Sequence, residues 1–397
     1  PQSGTEVTYS ILIEENKLIL ANAAGRQPDA VLGLSNWLPF ELAIRGAAED
    51  LRRFETFNEV VTRFVPGSFL PFIIDDGVYA LPETQDFEVV FYRTDILDAL
   101  NLEPPDTWED VTDMLPVLQR FGMEFATPLS IAGGLKPWGA TTPFVFQFGG
   151  DLYEDDGHRT AIDRSDALNG ITFMTELFTL YSMPLQTPNF YQHFRDGSMP
   201  IGVSTFNDYV LLTAAAPEIA GYWDIAPLPG VENEDGDVVR WAPGSAEAMS
   251  ILKARDRAHE AWELFDWWTS TSVQIDFMTR LRTSYGPEYL WHSANVEAFR
   301  QLFIPEEHKE VVLEQWRWLK EVPKVPGHYM LERELSNLWN RVVFDGENVR
   351  AAVDEAVVTV NREIARKMEE FGYREDGAIV EDYTIPTIEF VRSLGNE

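Results

Sequence analysis

The chain has 397 residues, of which 45% are hydrophobic, so it can bury a large core, and two lobes are more probable by size than one. Its 65 acidic and 31 basic side chains give a formal net charge of −34, which excludes grasping a nucleic-acid backbone and docking on anionic lipid through a basic surface. It has no cysteine, so disulfides, thiolate chemistry and Cys–zinc sites are excluded as well.

In chain order, Thr5–Ile13 reads as a strand from its Val, Tyr and Ile content. Asn16–Asn22 reads as a short helix, Gly25–Asp29 as a turn, Ala30–Leu34 as a buried strand and Leu38–Gly46 as a helix. This β–α–β–α rhythm predicts an α/β sheet with helices on its faces. The apolar run Phe87, Val89, Val90, Phe91, Tyr92 follows a polar loop and passes through Arg93-Thr94-Asp95 into a Pro104-Pro105 turn. A strand that leaves one unit and enters another without a break predicts a hinge crossing within Tyr79–Val111.

The next helix has Thr107 as N-cap and Asp110 three residues on, with Val111, Met114, Leu115 and Leu118 at helical spacing; Pro116 is expected to kink it. Tyr153–Asp163 reads as a hairpin with Asp-Asp-Gly at its tip, and Asp166–Tyr181 as an amphipathic helix. Ile201–Val203 is a short strand delivering Ser204–Tyr209. Strands Asp224–Pro227 and Ala248–Leu252 flank an acidic hairpin around Glu232–Asp237. His259–Ser270 is a Trp-rich helix, whose Trp262, Trp267 and Trp268 read as core beside Leu264 and Phe265. Arg350–Phe371 is a long helix. No run of 18 apolar residues exists, so no transmembrane helix is expected. Residues 1–20 are mixed polar and β-like rather than a signal peptide.

Catalytic patterns are poor. The six histidines are scattered, with no His-Glu-x-x-His, and neither Gly-x-Ser-x-Gly nor a Gly-Lys-Ser/Thr phosphate loop occurs. The acidic loops Glu154–Gly157 and Asn233–Gly236 read as hairpin tips, because Leu152 and Val231 fall on the first ligand position of a calcium loop. No metal, no cofactor and no enzymatic activity are expected. Aromatic residues are abundant, with 12 Trp, 13 Tyr and 25 Phe. Sugars pack their C–H faces on such rings while polar side chains fix their hydroxyls.

The order and spacing of several motifs resemble the extracellular solute-binding proteins of ATP-driven (ABC) importers, the group that includes maltose-binding protein. They are the Gly25–Gly33 turn and strand, the Tyr79–Asp95 crossing, Thr107-Trp108, Phe148-Gly149-Gly150, Ile201–Tyr209 and Trp241–Ser250. The resemblance implies an α/β, two-lobed periplasmic-binding-protein-like fold of type II, each lobe a mixed sheet flanked by helices around a hinged cleft. Residues 1–87 and 246–305 would form the first lobe, and 88–245 and 306–397 the second. The connections fall at Tyr79–Val111, at Trp241–Ser250 and near Glu306–Val322. Family members begin with a further strand and long helix, so the first lobe is expected to lack its opening βα unit within this chain.

By the same resemblance the ligand residues are expected to be Asn36 and Trp37 after the Ala30–Leu34 strand, and Gln85 and Asp86 at the crossing. Trp138 is expected to be an aromatic platform, Asn207 a polar contact where the family often places an aromatic, and Trp241 and Gly244 contacts at the return crossing. Tyr329 and Arg333 complete the set in the second lobe, Arg333 holding a carboxylate or hydroxyl pair by its planar fork. For these residues the alternatives are core packing or, for Arg333, an ion pair with Glu332 or Glu334. The implied partners are a sugar, best an oligosaccharide, and the permease subunits of an importer. A monomer outside the cytoplasm is implied, extracellular or periplasmic. Two alternatives stay open: a glycoside hydrolase with paired carboxylates, and a sugar-sensing module feeding a receptor.

Overall fold

A computed structural model of the chain describes residues 6–11, 15–128, 137–185, 189–253 and 257–395. Its two principal sheets are joined by the predicted crossing. The first sheet orders strands Ala30–Leu34, Ala246–Ile251 and Leu81–Gln85, all antiparallel. The second orders Phe125–Ala126, Ile201–Thr205, Glu88–Arg93 and Trp223–Ala226; its first pair is parallel and the others antiparallel. Gln85 ends a strand of one sheet and Glu88 begins a strand of the other, so only Asp86 and Phe87 cross.

Side-chain alternation explains why Glu88–Arg93 sits mid-sheet. Phe87, Val89 and Phe91 enter a core with Phe190, Tyr209 and Trp316, while Val90 enters the opposite core with Trp108, Val111 and Leu118. The helix Trp108–Arg120 starts in a capping box, in which Thr107 Oγ1 accepts from the Asp110 amide and the Asp110 carboxylate accepts from the Thr107 amide. It runs on past Pro116, whose ring lies on the exposed side, and buries Val111, Met114, Leu115 and Leu118 as their spacing predicts.

The strand expected at Thr5–Ile13 is absent from residues 6–11, where Val7, Tyr9 and Ile11 are exposed. Strand propensity reflects packing on a pleated surface, and without a paired edge it yields no ladder. Among the described residues the first sheet is therefore antiparallel throughout; only the second is mixed. The expected helix at Asn16–Asn22 forms as Glu15–Ala23. Tyr153–Asp163 closes as a tight loop with a single bridge, Tyr153 to Thr160, and Gly157 at φ +65°. Val231–Glu232 pairs with Val238–Val239 around Asn233, whose side chain accepts from the amides of Asp235 and Asp237. That is turn chemistry, and among the described residues no group of His, Asp or Glu could hold a metal ion.

The helix Ala258–Thr269 buries Trp262, stacked on Phe54 at 4.9 Å, but leaves Trp267 49% exposed. The reading of Trp267 as core fails because five residues of helix turn it away from Trp262's face. Helices His328–Val343 and Val349–Glu370 pack on each other and on helix Ser165–Thr179, and share one core with Ala246 and Ala248 of the first sheet. The last helix, Ile388–Leu394, places Ile388, Val391 and Leu394 in the core that holds Leu81, Met249 and Phe265. No described helix is long and apolar enough to cross a membrane.

Candidate functional site

Three passes of the chain between the sheets meet at one carboxylate. Glu321 Oε1 accepts from Gln85 Nε2 at 3.3 Å and from the Gly244 amide at 3.0 Å. Burial pushes the Glu321 carboxyl above its usual range, opposed by those donors and by the charge of Lys324. Gly244 is required by close approach: a Cβ there would lie 2.7 Å from both the Asp86 carbonyl oxygen and Gln85 Nε2, and 2.9 Å from Leu319 Cδ1. Gln85, 1% exposed, also donates to the Asp86 carbonyl at 3.1 Å. Gln85 and Gly244 thus lie inside the hinge, not on an open face.

Asp86 is half-buried in the crossing, and its carboxylate ties the crossing to the second sheet. Its Oδ1 accepts from the amides of Phe87 at 2.7 Å and of Phe206 at 3.0 Å, the latter opening helix Phe206–Ala215. A carboxylate suits that position, since helix starts present unpaired amides and positive potential. Asn207 is exposed in the first turn of the same helix, next to the residue Asp86 holds. Trp241 stands edge-on to Trp318 at 5.1 Å, and its carbonyl accepts from Gln147 Nε2 at 3.4 Å.

A second cluster lies where the first sheet's helix meets the late helices. Trp37 stands at the N-cap position of helix Leu38–Ala43, and the turn after that helix brings Arg45 back onto Glu41 at i+4 spacing. Opposite, Gly327 at φ +87° turns the chain into helix His328–Val343 and delivers Tyr329, whose hydroxyl bonds Glu363. These residues enclose a groove of about 440 Å³, walled by Trp37, Glu41, Arg45, Tyr329, Glu332, Lys367 and Phe371. That volume lies within the range of small-molecule sites. Arg45 and Lys367 both lie over the Phe371 ring, at 5.6 and 5.7 Å. Arg45 pairs with Glu41, and Lys367 with Glu370 at 2.8 Å, so both groove cations have acidic neighbours.

The groove therefore joins Trp37 and Tyr329, while Gln85, Asp86 and Gly244 gather at the hinge with Asn207 nearby. Asn36, half-exposed, precedes Trp37 but does not wall the groove. Arg333 is exposed, one turn beyond Tyr329, and contacts Glu334 at 3.4 Å. Trp138 belongs to helix Pro137–Gln147, but its side chain lies outside the described residues.

Sequence reading missed Glu321 and Lys324. Lys324 is 1% exposed, with its carbonyl held by the Tyr383 hydroxyl at 2.7 Å. Burial lowers its ammonium to about 8, with Glu332, Glu321 and Glu41 acting against the fall. His328 beside it is pushed well below the usual imidazole value, first by burial and then by Lys324. The available signal was a lone lysine in Val322-Pro323-Lys324-Val325-Pro326, a charge inside an apolar run.

Residues 3–275 match the model of the bacterial extracellular solute-binding protein family. The chain belongs to that family. Among solved structures, this solute-binding protein is similar to the sugar-binding protein MalE from Xanthomonas citri, with 20% identity, a TM-score of 0.74, and 91% of this chain and 89% of that one covered. It is also similar to MalE from Listeria monocytogenes in complex with maltose, at 17% identity and TM-score 0.68 over 89% and 88% of the two chains. A cyclo/maltodextrin-binding protein complexed with maltotetraose matches at 16% identity and TM-score 0.69, over 88% and 86%. These likenesses show the two-lobed periplasmic-binding-protein-like fold. Among curated proteins, none matches the chain.

Proposed function

We propose that this solute-binding protein captures a carbohydrate, best an oligosaccharide, outside the cytoplasm and delivers it as a monomer to the permease of an ABC importer. The lobes of this reading are residues 1–87 with 246–305, and 88–245 with 306–397 apart from the last helix, Ile388–Leu394, which packs in the core of the first sheet; they close about Gln85, Gly244 and Glu321. The observation that carries it is the groove: Trp37 and Tyr329, far apart in sequence, wall one space with Phe371 and the carboxylates Glu41 and Glu332. Flat rings for C–H faces beside fixed acceptors for hydroxyls are what a sugar needs. Similar proteins solved with maltose and maltotetraose support the ligand class. Asn36, Asn207, Trp138, Trp241 and Arg333 remain proposed contacts that a longer ligand or a closed form would reach, while Asp86 sits at the floor between the sheets.

The test is a thermal-shift screen of the purified chain against a sugar panel containing maltose and maltotetraose, with reducing ends measured in parallel. Stabilisation without consumption is expected. Release of new reducing ends would overturn the reading in favour of a hydrolase.

A further inference from the structure

We propose that a second groove, between the Tyr153–Asp163 loop and helix Val349–Glu370, binds a small organic carboxylate, its anionic end held by Arg159 and Arg374 and its carbon chain laid against Val358. This groove shares no lining residue with the one walled by Trp37 and Tyr329, so the inference stands apart from the sugar reading.

The groove holds about 360 Å³ and is lined by His158, Arg159, Val357, Val358, Asn361 and Arg374. Three elements bring these side chains together. The tight loop presents His158 and Arg159; it is closed by the Tyr153–Thr160 bridge and by the Glu154 amide, which donates to the Arg159 carbonyl at 2.9 Å. The long helix supplies Val357, Val358 and Asn361, and Asn361 Oδ1 accepts from the Thr160 amide at 2.9 Å, which ties helix to loop. With its oxygen so engaged, Asn361 offers the groove only N–H donors. Arg374 opens the short strand Arg374–Glu375, paired with Ala378–Ile379 just after the helix ends.

The charge of this groove is the reverse of the molecule's. The chain carries 65 acidic residues against 31 basic, yet among the described residues no carboxylate lines the groove. On the flanking segments Arg164 pairs with Glu154, Arg350 with Asp354 and Arg366 with Glu363, and the Asp156 carboxylate accepts from the His158 amide. Among the described residues neither Arg159 nor Arg374 makes an ion pair. Arg374 is held by an imidazole instead. The Glu381 carbonyl lies 3.1 Å from His158 Nε2, and a carbonyl only accepts, so Nε2 carries the proton and Nδ1 accepts from Arg374 Nε at 3.3 Å. His158 is 1% exposed, so this support is fixed by the fold. An uncharged acceptor orients the guanidinium without cancelling its charge and leaves its terminal N–H groups for another partner.

Planar guanidinium forks match the two oxygens of a carboxylate. Beside them Val358 is 68% exposed. An apolar wall gains nothing from an inorganic ion but gains from covering a hydrocarbon chain. The volume is that of a small-molecule site.

Ligand-observed NMR of the purified chain with sodium hexanoate at pH 7, in sodium chloride at fixed ionic strength, measures the binding, with acetate and inorganic phosphate as competitors. Hexanoate is expected to bind with a Kd at or below about 1 mM, and more tightly than acetate by roughly fourfold for each methylene that the groove covers. R159Q and R374Q are each expected to weaken it by roughly tenfold or more, since each removes a charged donor. Arg159 is exposed, so R159Q should melt with the wild type and decides the matter should R374Q fold poorly. Hexanoate that binds R159Q as it binds the wild type, or that chloride alone displaces, overturns the site. Maltotetraose that displaces hexanoate would place the acid in the Trp37–Tyr329 groove and overturn it as well. Phosphate that binds more tightly than hexanoate overturns the assignment to an organic acid.

Discussion

Gln85 and Glu321, 236 positions apart in the chain, meet inside the hinge through a bond of 3.3 Å from the glutamine amide to the buried carboxylate. The same oxygen holds the Gly244 amide, so one acidic side chain gathers all three connections between the sheets. Removing it leaves two donors buried without their acceptor, and an unmade buried bond costs about 1–3 kcal/mol. Glu321→Ala is expected to destabilise the protein by about 2–4 kcal/mol, read as a lower urea midpoint. An unchanged midpoint would show that the connections are held by packing alone.

Gly244→Ala probes the same point sterically. The added Cβ meets the Asp86 carbonyl oxygen and Gln85 Nε2 at 2.7 Å, and backbone cannot yield as a flexible side-chain end does. Overpacking of this kind costs about 1–3 kcal/mol. Small-angle scattering of the unliganded variant should show a more open particle than the wild type. An identical scattering profile and an identical melting temperature together would rule out a tight contact at this position.

Trp37 and Tyr329 should act on affinity more than on stability. Trp37 is half-exposed and Tyr329 more so, so truncation opens no sealed cavity. Fully burying a large apolar side chain is worth about 1.5–3 kcal/mol, and a ring covered on one face by a sugar contributes about half of that. Trp37→Ala and Tyr329→Ala are each expected to weaken maltotetraose binding by roughly tenfold, with melting temperatures of the free proteins within a few degrees of the wild type. Calorimetry checks both. Wild-type affinity in both variants would move the ligand site away from this groove.

The parts of the fold that were readable from sequence are those fixed by local chemistry. The Thr107–Asp110 capping box, the alternation of Val89, Val90 and Phe91, and the helical spacing of Val111, Met114 and Leu118 each need only a few neighbours to declare themselves. The crossing itself was readable because Glu88–Arg93 follows a polar stretch without a break. Residues 6–11 have the composition of a strand, yet a strand exists only where an edge accepts it. Gln85 fell beside the crossing as expected, but its burial depends on Glu321, and nothing local to either residue signals the other. Trp37 and Tyr329 could be singled out one at a time; their shared groove depends on how helix Leu38–Ala43 lies against helix His328–Val343.

Glu83 gives the first sheet a titrating core residue. Its carboxylate accepts from the Gly33 amide at 2.7 Å and from Trp268 Nε1 at 2.8 Å, tying three elements. Burial outweighs both bonds and raises its pKa from 4.5 to about 7. The folded form therefore holds a proton that the unfolded chain has already released between those values. The resulting stabilisation is full below about pH 4.5 and is lost as the pH rises through about 7, a swing of about 3 kcal/mol. Half-buried His292, lowered to about 4, and buried His328 push stability the opposite way below pH 6.5, so the total pH profile mixes several groups. The difference between the wild type and Glu83→Gln isolates one of them. Glutamine keeps one acceptor and never titrates, so the variant should be least stable relative to the wild type at pH 5 and recover most of that deficit by pH 8.5. Urea unfolding at pH 5, 6.5 and 8.5 measures the gap, and a gap that stays constant across those three values would mean that Glu83 is ionised throughout and that its two hydrogen bonds outweigh its burial.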